Sequence, residues 1–155
     1  MKISVFACGF SIDNGKPTQR GACAAYLEYV DDHDRKATRV ISEPVGNSTN
    51  PQCDLKAAIL GLMSIKADPF VRRKVPVELF ASSYVAPLLE REGESYKLNP
   101  KKNIELVRRL REKSGLFSNL TISIGSKEQL QPALDAAKDT VNAGVGSDSD
   151  TKMPA

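Results

Sequence analysis

The chain has no tryptophan and a single histidine, His33. His33 lies in the polar run DDHDRK between two β-rich segments, where it reads as a solvated loop residue. Cysteine is scarce too. The three thiols, Cys8, Cys23 and Cys53, have spacings that match no zinc motif. An odd, sparse set of this kind points to reduced cysteines in a cytoplasmic compartment and not to a disulfide framework. No apolar run is long enough to cross a bilayer, so no membrane partner is expected. The N-terminal MKISVFACGF has a short, alternating apolar run, which is not the layout of a signal peptide. Nor is one sign of charge in large excess. A net charge of +3 is too small by itself to demand a polyanionic partner.

What is present is ordinary for a globular domain: 155 residues, 41% hydrophobic and 26% charged, enough for one sizeable core. The stretch that organises the rest is Asn47 to Ile65. Asn50 is expected to cap a helix and Pro51 to occupy its first position, where a missing N–H costs nothing. Leu55, Ala58, Ile59 and Leu62 then recur at helical spacing and mark a core-facing stripe. Asp54 sits one turn inside, beside Ala57, Ala58 and Gly61. Taken alone, it is either a solvated first-turn acid or a functional carboxylate.

Taken in order, Ile3, Val5 and Ala7 alternate with polar or small neighbours in a first strand. Residues 22–30 and 37–45 make a second and a third, joined by the polar hairpin around His33. The segment KADPFVRRKVP reads as a loop, VELFA as a buried fourth strand, and SSYVAPLLERE as a helix. Asn99-Pro100 repeats the cap-then-proline signal and is expected to open a helix ending near Gly115. LTISI is a fifth strand, and KEQLQPALDAAKDTVNAG a closing helix interrupted or started near Pro132. Residues 143–155, small and polar, are expected to form a disordered tail after a domain spanning 1–142. The predicted class is α/β: a five-stranded mixed sheet, with a three-strand antiparallel meander and two parallel strands, and helices packed on it.

That order resembles the ribonuclease H family, and short motifs carry the resemblance residue by residue. Thr49-Asn50 and Asp54-Leu55-Lys56-Ala57-Ala58-Ile59 are similar to the start of the family's first helix, which bears its second catalytic carboxylate. Lys102-Asn103-Ile104-Glu105-Leu106, with Arg109-Leu110, resembles a later helix of bacterial members. Asp135-Ala136-Ala137 matches the head of the closing helix, where the fourth carboxylate lies. The similarity runs over roughly residues 2–142. The resemblance implies four acidic positions that hold two Mg²⁺ ions, which activate water and steady a leaving phosphodiester oxygen.

Here the four matched positions read Cys8, Asp54, Ser82 and Asp135. Only Asp54 and Asp135 keep a carboxylate, as a residual catalytic pair and as weak candidates for a metal. A thiol suits a hard ion badly, and a neutral hydroxyl does not offset its charge. Asp13 and Asp139 are nearby acids that read as exposed turn and helix residues. A zinc site from Cys8, Cys53 and Asp54 lacks a fourth ligand. Where the resemblance implies a His loop, the chain has Ser126 after Gly125. No metal and no other cofactor is expected, with Mg²⁺ or Mn²⁺ required only if the chain cuts.

Binding asks for less than cutting. Thr49 and Asn50 match positions that contact the hybrid's backbone in the family, and a helix start suits an anion. Lys97, Lys101, Lys102, Arg108, Arg109, Arg111 and Lys113 crowd one region against Glu105 and Glu112; Arg72, Arg73 and Lys74 form a second cluster. Such clusters attract polyanions or are solvated helix faces. The expectation is a catalytically degenerate ribonuclease H-like protein, more a binder than an enzyme. Its partner is nucleic acid, an RNA/DNA hybrid or structured RNA, or else a protein. The alternatives are an active Mg²⁺-dependent hybrid nuclease using Asp54, Asp135 and a further acid, and a protein-interaction scaffold within a larger assembly.

Overall fold

A computed structural model describes residues 1–65, 68–89, 91–92, 95–96 and 103–148. Three long strands open the chain: β1 (Lys2–Ile12), β2 (Arg20–Val30) and β3 (Lys36–Gly46). They are followed by α1 (Asn50–Met63), α2 (Pro69–Lys74), β4 (Val77–Ala81) and α3 (Ala86–Leu89). Two short strands, β5 (Arg91–Glu92) and β6 (Ser95–Tyr96), pair with each other. Then come α4 (Ile104–Ser114), β7 (Leu120–Ile124) and α5 (Lys127–Asp148). The main sheet has the order β3-β2-β1-β4-β7. The β3-β2-β1 meander is antiparallel, and β1-β4 and β4-β7 are parallel, which is the mixed sheet that the strand pattern predicts.

The helices cover both faces. On one side α1 and α4 bury Leu55, Ile59, Leu62, Val107 and Leu110 against Ile3, Val5, Leu27, Val77 and Leu79. On the other, Ala133, Ala137 and Val141 of α5 pack on Ala22 and Ala24, with Cys8, Phe10 and Tyr26 at the margin. Small residues let α1 lie very close to the sheet. A Cβ on Gly9 would stand 2.3 Å from the Cys53 carbonyl carbon, and one on Gly61 would stand 2.5 Å from Val5 Cγ1. Neither position has room for a side chain.

Several local expectations are corrected. Thr49, not Asn50, caps α1, through a capping box in which Thr49 and Gln52 exchange hydrogen bonds. Asn50 is freed for a partner elsewhere, Ser11 of β1. The segment read as a loop holds α2, because Asp68 accepts the Val71 N–H and Pro69 follows it. The helix read over SSYVAPLLERE shrinks to four residues, since Ser82 and Val85 close a turn first and Arg91 already pairs with Tyr96. The helix expected from Pro100 starts at Ile104, after Asn103 in a left-handed conformation (φ 59°). Asn99, Pro100, Lys97, Lys101 and Lys102 lie outside the described residues. Pro132 does not interrupt α5, which runs past the expected end at Gly144 to Asp148.

The close approach at Gly9 yields a direct test. Gly9→Ala should cost about 2–3 kcal/mol, as overpacking against fixed backbone does, and lower Tm by about 4–12 °C. Gly115→Ala, where the new Cβ would make only ordinary contacts of 3.4–3.5 Å, should leave the thermal transition nearly unmoved. Equal effects in the two variants would remove the argument from close packing.

Candidate functional site

The site lies where β1 outruns β4. The Ile3 N–H donates to the Pro76 carbonyl, so odd residues of β1 direct their N–H groups toward β4. That pairing ends at Phe6 and Phe80. Beyond it the Gly9 and Ser11 N–H groups have no strand to bond. Two side chains from consecutive turns of α1 take them: Asp54 Oδ1 accepts from Gly9 at 2.7 Å, and Asn50 Oδ1 accepts from Ser11 at 2.9 Å. The Ser11 hydroxyl donates to the Ser48 carbonyl at 2.7 Å and completes the join. The first turns of α1 thus act as a short surrogate strand.

The Ser82 hydroxyl lies near Asp54 and helps to hold its pKa down, and Ser82 Oγ accepts from the Val85 N–H at 3.2 Å. One half-buried carboxylate therefore ties α1 to the end of β1 and lies near the end of β4. Burial raises its pKa above the ordinary 3.8, and the Gly9 N–H and the Ser82 hydroxyl partly counter that. The other matched positions stand as follows. Cys8 faces α5, and its thiol is pushed up to about 12, first by burial and then by the Asp54 charge, with Lys138 pulling it back. Cys8 is therefore a neutral thiol near neutral pH. Asp135 is exposed on α5, and its Oδ1 accepts from Gln131 Nε2 at 2.7 Å. Asp13 sits in a turn with φ 60° and faces Arg20 at 3.5 Å, and Asp139 is exposed.

The structure thus brings Asp54 and Ser82 near each other and sets Cys8 within reach of the Asp54 charge. It gives Asp135 a different partner. It also brings in a residue that the motif comparison misses. Lys138 places its Nζ 5.5 Å from the centre of the Phe10 ring, and its charge is felt at Cys8. Its spacing, three residues after Asp135, is the only signal of it in the sequence.

This donor set is a poor fit to a pair of divalent ions. It offers one carboxylate that already accepts the Gly9 N–H, one neutral thiol, a neutral hydroxyl, and an ammonium whose charge opposes that of Asp54 at Cys8. Among the described residues no group of three or more His, Cys, Asp or Glu side chains could hold a metal ion. The three cysteines are free.

The basic residues divide. Arg109 joins Lys56 in a groove of about 280 Å³ between α1, α4 and the meander, over Val45, Ile59 and Leu60, with Glu43 opposite. Gln52 Nε2 donates to Asn103 Oδ1 at 3.3 Å, so the starts of α1 and α4 adjoin, with Thr49 and Asn50 beside them. Thr49 spends its hydroxyl oxygen on the cap, while Asn50 is exposed. Arg108 is paired with Glu105 at 2.7 Å. Arg111 leaves the expected patch: it is half-buried and its Nε donates to the Leu88 carbonyl at 3.1 Å, because its helical phase points it at α3. Arg72, Arg73 and Lys74 are exposed in the last turn of α2, where they suit the helix dipole. Among the described residues no helix is long and apolar enough to cross a membrane.

With this geometry in hand, comparison with solved structures gives the class: the architecture is the ribonuclease H fold. The ribonuclease H1 of the halophilic archaeon Halobacterium salinarum superposes with a TM-score of 0.68 at 17% identity, over 92% of this chain and 99% of that one. LC11-RNase H1, solved in complex with an RNA/DNA hybrid, gives 0.69 at 17% identity, over 93% of this chain and 99% of that one. The ribonuclease H domain of prototype foamy virus gives 0.69 at 15%, over 92% and 95%. No protein-family model matches the chain, and no curated protein matches it in sequence.

The raised pKa of Asp54 has a definite pH signature. The folded state holds the proton more tightly than the unfolded one, so this group's contribution to stability is full below about pH 4 and is lost as pH rises through the folded-state value. Asp54→Asn keeps the acceptor for Gly9, presents an amide to Ser82 and cannot ionise. Its Tm at pH 7 should equal or exceed that of the native chain, and the difference should shrink toward pH 4. A loss above about 1 kcal/mol at pH 7 would mean that the ionised form is what the fold needs.

Proposed function

We propose that this chain binds nucleic acid on a ribonuclease H scaffold without cutting it efficiently. The observation that carries the reading is the donor set around Asp54: its carboxylate accepts the Gly9 N–H, the Ser82 hydroxyl lies near it, and Cys8, a neutral thiol, feels both the Asp54 and the Lys138 charge. Two-metal hydrolysis needs acids free to hold ions on both sides of a phosphodiester. Backbone recognition needs only cations and donors along a track. The exposed start of α1 at Asn50, the Lys56–Arg109 groove and Lys138 supply these. An RNA/DNA hybrid is the ligand to try first, because LC11-RNase H1, of the same fold, was solved with one. Lys101 and Lys102 extend the basic character of the segment that enters α4.

The competing reading is an active Mg²⁺-dependent nuclease built on Asp54, Asp135 and another acid. A single set of measurements separates the two. A short RNA/DNA hybrid should bind equally well with Mg²⁺ and with EDTA and remain intact. From about three phosphate contacts, the logarithm of affinity should fall with the logarithm of salt at a slope of roughly −2 to −3. Arg109→Glu and Lys138→Glu should each weaken binding at low salt several-fold. Cleavage products that disappear in Asp54→Asn would establish the nuclease instead, and a flat salt response would remove the nucleic-acid reading.

A further inference from the structure

The two edges of the main sheet are treated differently. The β3 edge carries Lys36, Arg39, Glu43 and Pro44, features that deter pairing with another strand. The β7 edge, LTISI, has no charged residue and no proline, and neither do Ser118 and Asn119 before it or Gly125 and Ser126 after it. Its backbone orientation is fixed by two bonds to β4: the Val77 N–H donates to the Asn119 carbonyl at 3.0 Å, and the Gly125 N–H donates to the Ala81 carbonyl at 2.8 Å. Odd residues of β7 therefore face β4, and Leu120, Ile122 and Ile124 direct N–H and C=O groups outward. Among the described residues none of these outward groups has a hydrogen-bond partner. Thr121, Ser123 and Ile124 are exposed.

We propose that β7 is a self-association edge, at which two copies of the chain pair antiparallel about a two-fold axis through Ile122 and join their five-stranded sheets into one. The strand is its own complement. With the axis at Ile122, Leu120 faces Ile124 of the second copy, Ile122 faces Ile122, and Thr121 faces Ser123. The outward residues fall into three facing pairs that each exchange two backbone hydrogen bonds, six in all. Thr121 and Ser123 fall at the non-hydrogen-bonded pairs, where side chains come closest and a hydroxyl meets a hydroxyl. A foreign strand would satisfy the same backbone groups but gains nothing from this symmetric pairing; a second copy does, at both ends of the axis. Five residues bury little area beside a standard interface, so a weak dimer follows, with a dissociation constant on the order of 100 µM.

The register supplies the test. Sedimentation equilibrium of the native chain, followed up to about 1 mM, should show the mass climbing from 16.9 kDa toward the dimer. Thr121→Lys with Ser123→Lys sets Lys against Lys twice across the axis and should weaken association at least tenfold. Thr121→Lys with Ser123→Glu sets Lys against Glu twice and should restore it. Both sites are exposed, so the fold should tolerate either pair. The amides of Leu120, Ile122 and Ile124 in the native chain should also exchange more slowly as concentration rises. A native chain monomeric throughout, a Lys/Lys variant that dimerises as well as native, or a Lys/Glu variant that fails to recover would each overturn the proposal.

Discussion

The hydrogen bond from the Gly9 amide to Asp54 is the contact on which the rest of the site depends. It forms only because α1 lies against β1 so closely that a single extra carbon at Gly9 would collide with the backbone at Cys53. That approach lets two side chains of a helix serve as the missing neighbour for a strand that continues after its partner has ended. Unpaired and half-buried N–H groups would otherwise be costly. The Ser82 hydroxyl lies near the same carboxylate and accepts from the Val85 N–H in the turn where β4 gives way to α3.

Much of the sheet could be read from the sequence, because its signals are local. Strict alternation in Ile3, Val5 and Ala7, and the short β-rich runs VELFA and LTISI, mark strands whose bounds the structure reproduces or extends. The apolar stripe of α1 is equally plain, and all four of its residues are buried. The misreadings have a common cause. Asn50 is as good a cap as Thr49 by residue type, and only Ser11, 39 positions earlier, decides that its side chain turns elsewhere. Asp68-Pro69 carries the same signal as the larger helices, but six residues with no buried side chain leave no apolar stripe to find. Asp54 looked like either a surface acid or a catalyst, and its neighbours, Gly9 and Ser82, come from two distant elements.

Charge is subtler than residue counts imply. A run of arginines on one helix suggests a single patch, yet the turn of the helix sends them to different tasks. Arg108 answers Glu105, Arg109 borders the groove with Lys56, and Arg111 secures α3 through the Leu88 carbonyl. Meanwhile Lys138, unremarkable in the sequence, brings a positive charge to the end of β1. A scaffold that held cations there with acids would need carboxylates at Cys8 and Ser82; this chain has a neutral thiol, a hydroxyl and an ammonium of its own.

The most direct test follows the Gly9 amide in ¹H–¹⁵N spectra while Mg²⁺ is added. If Asp54 is a structural clasp, the resonance stays in place and the amide remains protected from exchange at every Mg²⁺ concentration. A saturable shift of that resonance, with loss of its protection, would show the carboxylate turning to the ion and would contradict the account.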